Sequence, residues 1–205
     1  MNRKCIAIIL LLASSLIALP ALAQNVEITP FAGYLFGGEF EDRFDDDNRQ
    51  RIDVEESANF GLLLDFSLSP NAAIELLWVA QDTELRIDRA FGPSFVPLKI
   101  QYYHAGFRWM WASDVINPYV VGSIGATGFD LGGVSGTTTR FSWSGGGGVI
   151  FLPSEHFGVR FEGRVYSTFI EEDEDIYCDP YGCITYYDST FLFQFDMKVG
   201  LVFRF

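Results

Sequence analysis

The chain has 205 residues, 49% hydrophobic and 16% aromatic, which is enough apolar material for a folded core and excludes a disordered acidic protein. Its 27 acidic residues outnumber 14 basic ones for a formal net charge of −13. No cluster of Lys and Arg stands ready to displace phosphate counterions, so nucleic acid is excluded as a partner.

The chain opens with a three-part export pattern. Arg3 and Lys4 form a positive start, Ile6 through Leu19 are apolar, and Ala21-Leu22-Ala23 supplies a small-x-small cleavage site. Residues 1–23 therefore read as a signal peptide and residues 24–205 as the mature domain. The apolar stretch falls short of the ~20 residues that a membrane-spanning helix needs. Cys5 precedes this stretch, whereas a lipid-modified cysteine follows it, so the chain does not read as a lipoprotein.

Beyond residue 24 the dominant period is two, the signature of strands with unlike faces. Weak alternation over residues 27–38 leaves the faces of the first strand unassigned, and an acidic link follows over residues 39–53. Phe60, Leu62, Leu64, Phe66 and Leu68 then share one face, against Asn59, Gly61, Asp65 and Ser67. A short link at 69–73 leads to a second weak strand, 74–87, and a longer polar link is expected at 88–98. Around residues 99–112, Tyr103, Phe107, Trp109 and Trp111 oppose Tyr102, His104 and Arg108. The short link 113–118, a third weak strand 118–130 and a longer link 132–139 come next. Phe141, Trp143, Val149 and Phe151 alternate with Ser142, Ser144, Gly146 and Gly148. The run Gly145 through Gly148 lacks the Lys-Ser/Thr ending of a phosphate loop, and inside a strand it points to close strand approach or curvature. A short link at 153–156 precedes Phe157, Val159, Phe161, Gly163, Val165 and Phe169, set against Arg160, Glu162, Arg164 and Tyr166. A last long link, 171–189, reaches the clearest strand, TFLFQFDMKVGLVFRF, whose Phe191, Phe193, Phe195, Met197, Val199, Leu201, Phe203 and Phe205 lie on one face.

That makes eight strands, joined alternately by short turns and long links. Hydrocarbon offers a backbone amide no hydrogen bond, so strands with a lipid-facing apolar side must close on themselves. The expected fold is all-β: an eight-stranded antiparallel up-and-down transmembrane β-barrel. Trp109, Trp111 and Tyr119 beside one short turn, and Phe151 and Phe157 beside another, mark an interfacial aromatic girdle.

On these features, together with the early ITPFAGYLFGG segment and the terminal VFRF, residues 24–205 resemble the small eight-stranded outer-membrane β-barrel family, of the OmpA membrane domain and OmpX type. The resemblance implies an outer-membrane location. It implies that Phe203 and Phe205 form the recognition signal for the barrel-assembly machinery, and that the long links face outward.

Eight strands enclose a space that side chains fill, or that holds one small ligand. The expected inward charges are Arg108, Arg160, Arg164, Lys198 and Arg204 against Asp65, Glu75, Glu162 and Asp196. This near balance predicts a mutual ion-pair network, because an unpaired charge in so confined a space is costly. A plugged interior is the first reading and a narrow conduit for small or apolar solutes the alternative.

The links at 39–53 and 171–189 hold more than half of the 27 acidic residues. They read as solvated loops, with contact to outer-membrane lipid and lipopolysaccharide through divalent cations, or to an extracellular partner, as the functional alternative. Within the second link, Cys178 and Cys183 of CDPYGC read as a disulfide outside the cytoplasm, worth roughly 2 kcal/mol. Free thiols are the lesser reading; a zinc site needs about two further ligands that His104 and His156 do not supply. No cofactor or metal site is expected. Neither histidine has an evident serine partner in the sequence, so the protein is expected not to be an enzyme, with a lipid-A-modifying activity as the remaining alternative.

Overall fold

The computed structural model describes residues 26–41, 51–89, 92–111, 113–132, 137–170, 175–179, 182–185 and 190–205. The signal-peptide reading of residues 1–23 lies outside them. Among the described residues twelve strands form: β1 (Val26–Phe36), β2 (Glu39–Glu41), β3 (Arg51–Val54), β4 (Ser57–Ser69), β5 (Ala72–Arg89), β6 (Gly92–Met110), β7 (Ile116–Leu131), β8 (Thr137–Phe151), β9 (Phe157–Ile170), β10 (Asp175–Asp179), β11 (Gly182–Thr185) and β12 (Thr190–Arg204).

Eight of these, β1, β4, β5, β6, β7, β8, β9 and β12, pair antiparallel in sequence order, and β12 returns to β1. The closing seam runs from Glu27 opposite Arg204 to Phe36 opposite Phe195, with Phe205 N donating to Val26 O at 3.0 Å. The wall is therefore a closed barrel without a free edge along its spanning length, which is what an environment lacking hydrogen-bond partners demands.

Period-two alternation becomes an inside and an outside. On β12, Phe191 through Phe203 at odd numbers are exposed while Leu192, Gln194, Asp196, Lys198 and Val202 are buried. The weak strands obey the same rule. Glu27, Thr29, Phe31 and Leu35 of β1, Glu75, Leu77, Val79 and Gln81 of β5, and Tyr119, Val121, Ser123 and Thr127 of β7 point inward. Their faces are hard to tell apart in the sequence because leucine, valine and phenylalanine occupy the inside as well.

The described parts of the long links include strands. Residues 88–98, expected as a polar loop, instead continue β5 and β6 as a hairpin to Arg89 opposite Gly92. Leu85, Val96 and Leu98 stay buried there, so interior burial extends the ladder past the bilayer span. β5 has 18 residues and β6 has 19, well beyond the ~9 to 11 that cross a membrane. Among the described residues the β6–β7 register begins at Leu98 opposite Leu131, and Pro97, which has no N–H to give, accepts Gly132 N at its carbonyl at 2.9 Å. At the end of β1, Gly37 and Gly38 adopt φ of 76° and 124°, a conformation that side chains disfavour, and turn the chain into β2. β2 pairs with β3, and β3 with β5. In the 171–189 link, β10 and β11 form a hairpin with Cys178 opposite Cys183 in the backbone register. The side chains of those two cysteines, and so the expected disulfide, lie outside what is described.

The outer belt gives a direct test. Phe161, 56% exposed on the middle of β9, faces lipid in this arrangement. Phe161→Arg is expected to destabilise the barrel in phospholipid vesicles by about 2–4 kcal/mol, measured by reversible urea unfolding; a change below about 0.5 kcal/mol would place that face elsewhere.

Candidate functional site

Inward side chains stack in layers along the barrel axis. Down β6 from the long-hairpin end, Val96, Leu98, Ile100 and Tyr102 give way to His104, then Arg108, then Met110. Up β9 from the short-turn end, Arg160, Glu162 and Arg164 give way to Tyr166, Thr168 and Ile170. A charged layer thus occupies the half of the barrel nearer the short turns. Beyond it lie a polar aromatic layer and an apolar cluster that includes Leu35, Leu77, Val79, Val96, Ile100 and Leu192.

The charged layer brings together Asp65, Glu75, Arg108, Arg160, Glu162, Arg164, Asp196, Lys198 and Arg204, and adds Glu27. With Glu27 included, five carboxylates face five cations. The guanidinium of Arg160 is its centre: Nη1 donates to Asp65 Oδ2 at 2.9 Å, Nη2 to Glu75 Oε2 at 2.6 Å, and Nε to Tyr119 OH at 2.7 Å. Arg164 bridges Glu75 Oε1 at 2.6 Å and Glu162 Oε1 at 2.7 Å. Arg108 joins Glu27 at 2.8 Å to Asp65 at 3.3 Å, and Arg204 reaches Glu27 Oε1 through Nε at 2.9 Å. Lys198 lies 3.0 Å from Asp196, 3.3 Å from Glu162, and donates to Tyr166 OH at 3.0 Å.

Burial makes this balance necessary. The side chains of Asp65, Glu75, Glu162 and Arg164 are all 0% exposed. A charge taken from water into such a place is tolerable only with opposite charge and hydrogen bonds on every side. Neutral groups complete the shell: Tyr119 OH donates to Glu162 Oε2 at 2.6 Å and Asn59 Nδ2 to Asp196 Oδ1 at 2.8 Å. The Arg160 guanidinium also lies 4.6 Å from the Tyr119 ring centroid.

The glycine run of β8 is what lets the layer fit. A Cβ on Gly146 falls 2.4 Å from Gly163 O and 2.9 Å from Arg164 Cα. On Gly148 it falls 2.0 Å from Phe161 O and 2.8 Å from Tyr119 OH. Bare backbone at these two positions keeps β8 against β9 and leaves room for the Tyr119–Glu162 bond.

His104 departs from its sequence reading. It does have serine partners: Nδ1 lies 3.0 Å from Ser123 Oγ and Nε2 lies 2.9 Å from Ser142 Oγ. Ser123 and Ser142 come from β7 and β8, so only the barrel register brings them to β6. Ser123 in turn bonds Ser144 at 2.6 Å, and Arg164 Nη1 approaches Ser144 at 3.5 Å. The ring is enclosed, with Tyr166 edge-on at 5.7 Å between centroids, and Tyr102 stacks on Tyr166 at 4.3 Å. His156 lies exposed in the β8–β9 turn.

Comparison with known proteins places this architecture. Residues 9–202 match the model of the outer membrane protein beta-barrel domain, and the chain belongs to that family. It is an outer-membrane protein. No curated protein sequence matches it. Among solved structures it is similar in fold to OprG, an outer membrane protein from Pseudomonas aeruginosa, with 13% identity, a TM-score of 0.61, and coverage of 89% of this chain and 96% of that one. Neisserial surface protein A gives 11% identity and a TM-score of 0.55 over 88% of this chain and 97% of that one. The outer membrane protein AlkL, solved in DMPC bilayers, gives 12% and 0.53 over 89% and 90%.

The charged layer is expected to respond strongly to the loss of one member. Glu162→Ala removes the carboxylate that Arg164, Arg160 and Lys198 share, leaving the layer with one uncompensated positive charge, and is expected to destabilise the fold in vesicles by about 3–5 kcal/mol. Asp82→Ala, at an exposed pair 3.9 Å from Lys99, is expected to change it by less than about 0.5 kcal/mol. Equal small losses for both would remove the layer from any structural role.

Proposed function

We propose that the protein is a non-conducting integral outer-membrane scaffold whose barrel is sealed and whose long hairpins and acidic loops make its contacts outside the membrane. The observation that carries this reading is the layer of five carboxylates and five cations, all buried but the partly exposed Arg204 and each held by at least one opposite charge. An ion crossing it has to replace several charge-assisted bonds at once, in a barrel of the strand number whose interior side chains fill. In purified form the protein is expected to give no reproducible single-channel steps in a planar bilayer, whereas regular steps would overturn the sealed reading.

The acidic loops are the proposed contact surface, with lipopolysaccharide bridged by divalent cations or with an external partner. A role without enzymatic chemistry is supported by His104: its ring lies inside the wall and is only 4% exposed. Phe203 and Phe205, both exposed on the outer face at the short-turn end, are the proposed barrel-assembly signal. Phe205→Ala is expected to lower outer-membrane yield in cells without altering the unfolding midpoint of refolded protein. An unchanged yield would contradict that role.

A second reading, passage of apolar solutes, is supported by the apolar cluster at the long-hairpin end. It predicts protein-dependent entry of an apolar solute across a lipopolysaccharide-bearing bilayer, abolished by Leu98→Arg.

A further inference from the structure

The apolar belt on the outside of the barrel is not of even height. On β12 every odd-numbered residue from Phe191 to Phe205 is apolar and exposed. A strand tilted by ~40° and rising ~3.3 Å per residue gains about 2.5 Å along the barrel axis at each residue, so this run stands about 35 Å tall. On β6 the outward apolar run also starts at the short-turn end, at Trp111, and it stops at Tyr103, about 20 Å higher on the same rise. Above Tyr103 come Gln101 and then Lys99, whose Nζ lies 3.9 Å from Asp82 of β5, the two side chains being 45% and 74% exposed. β5 repeats the pattern: Ile74, Leu76, Trp78 and Ala80 give way to exposed Asp82 and Glu84. β6 and β12 stand on opposite sides of the barrel, four strand steps apart in either direction round the wall.

The extra height on the tall side is aromatic. Phe169 of β9 lies opposite Phe191 of β12 with ring centroids 4.4 Å apart, Phe141 of β8 joins Phe169 at 5.8 Å, and Phe193 joins Phe191 at 5.9 Å. All four rings are between 40% and 53% exposed. They continue, with no charged residue between, the file of side chains that already faces hydrocarbon lower on β12. The apolar band of an outer-membrane barrel is ~25 Å tall, too short to cover the β12 run and too tall for the β6 run. In an upright barrel the upper phenylalanines therefore stand in water while hydrocarbon reaches up to the Asp82–Lys99 pair, and both contacts are unfavourable. A lean of the axis toward β12 lowers the tall side into the membrane and lifts the charged pair out of it. Phe203 and Phe205 then come to the opposite headgroup level, where aromatic rings are well accommodated. The mismatch that the lean leaves is taken up by the lipid, as a thinner bilayer beside the short run.

We infer that the barrel leans in the outer membrane toward its β9–β12 side, with Phe141, Phe169, Phe191 and Phe193 sunk among acyl chains and the bilayer thinned beside β5 and β6. The occupant of the aromatic patch is lipid, and the inference does not depend on whether the barrel conducts.

The test uses the unmutated mature chain, isotope-labelled for NMR, at one barrel per lipid nanodisc. Two paramagnetic probes are added in separate samples: a water-soluble gadolinium chelate, and a phospholipid carrying a nitroxide midway along an acyl chain. The amides of Phe141, Phe169, Phe191 and Phe193 are expected to lose signal to the lipid probe and to keep it with the chelate. Those of Asp82 and Lys99 are expected to do the reverse, as is that of Phe95, which is 51% exposed on β6 above Lys99 and so separates depth from hydrophobicity. Loss of the Phe169 and Phe191 signals to the chelate as complete as that of Asp82 overturns the inference, because the barrel then stands upright. Equal loss of Asp82 and Phe191 to the lipid probe overturns it too, since the belt is then level. Shielding of the four phenylalanines from both probes also overturns it, by placing protein rather than lipid over the patch.

Discussion

A backbone amide facing hydrocarbon has no solvent to bond with, and this one constraint orders the rest of the molecule. It forces the ladder to close, which the pairing of β1 with both β4 and β12 accomplishes. Closure over eight strands then fixes a narrow interior. The side chains at inward positions have no choice but to meet one another across it, so their chemistry must be mutually compatible over distances of a few ångströms.

The charged layer is one solution to that problem and the apolar cluster beyond it another. Arg160 on β9 meets Asp65 of β4 and Glu75 of β5, strands on opposite sides of the barrel in the pairing order. Such cross-barrel bonds tie the wall to itself through its centre, in addition to the ladder that runs around it. The layer lies toward the short turns and the apolar cluster toward the long hairpins, so the two ends of the lumen differ in chemistry. The short-turn end carries the charged layer, while the other continues into the β5–β6 hairpin and the β2–β3 ribbon. Gly146 and Gly148 show how closely wall and filling are matched, since a single added carbon at either place collides with β9.

Much of this was legible in the sequence, for a physical reason. On β4, β8, β9 and β12 the lipid side is largely apolar and the inner side largely polar, so period two alone separates them. β1, β5 and β7 resist the same treatment because Phe31, Leu35, Leu77, Val79 and Val121 are apolar residues turned inward. Glu27 was lost with the unassigned face of β1, and with it the fifth carboxylate that brings the layer to balance. The strands within 88–98 are not legible in the sequence because Pro93, Pro97 and the polar residues around them resemble a loop, while the burial of Val96 and Leu98 depends on neighbours far along the chain. The serines beside His104 are 19 and 38 residues away, a proximity that only the register of β6, β7 and β8 creates.

The account stands or falls on whether the charges inside this narrow cylinder hold one another. A double-mutant cycle between Arg160 and Glu75, through Arg160→Met and Glu75→Leu alone and together with reversible unfolding from phospholipid vesicles, measures that directly. The account predicts a coupling of roughly 2 kcal/mol or more, the paired variant being far more stable than the sum of the single losses implies. Additivity to within about 0.5 kcal/mol would contradict it, because the two residues would then not be partners.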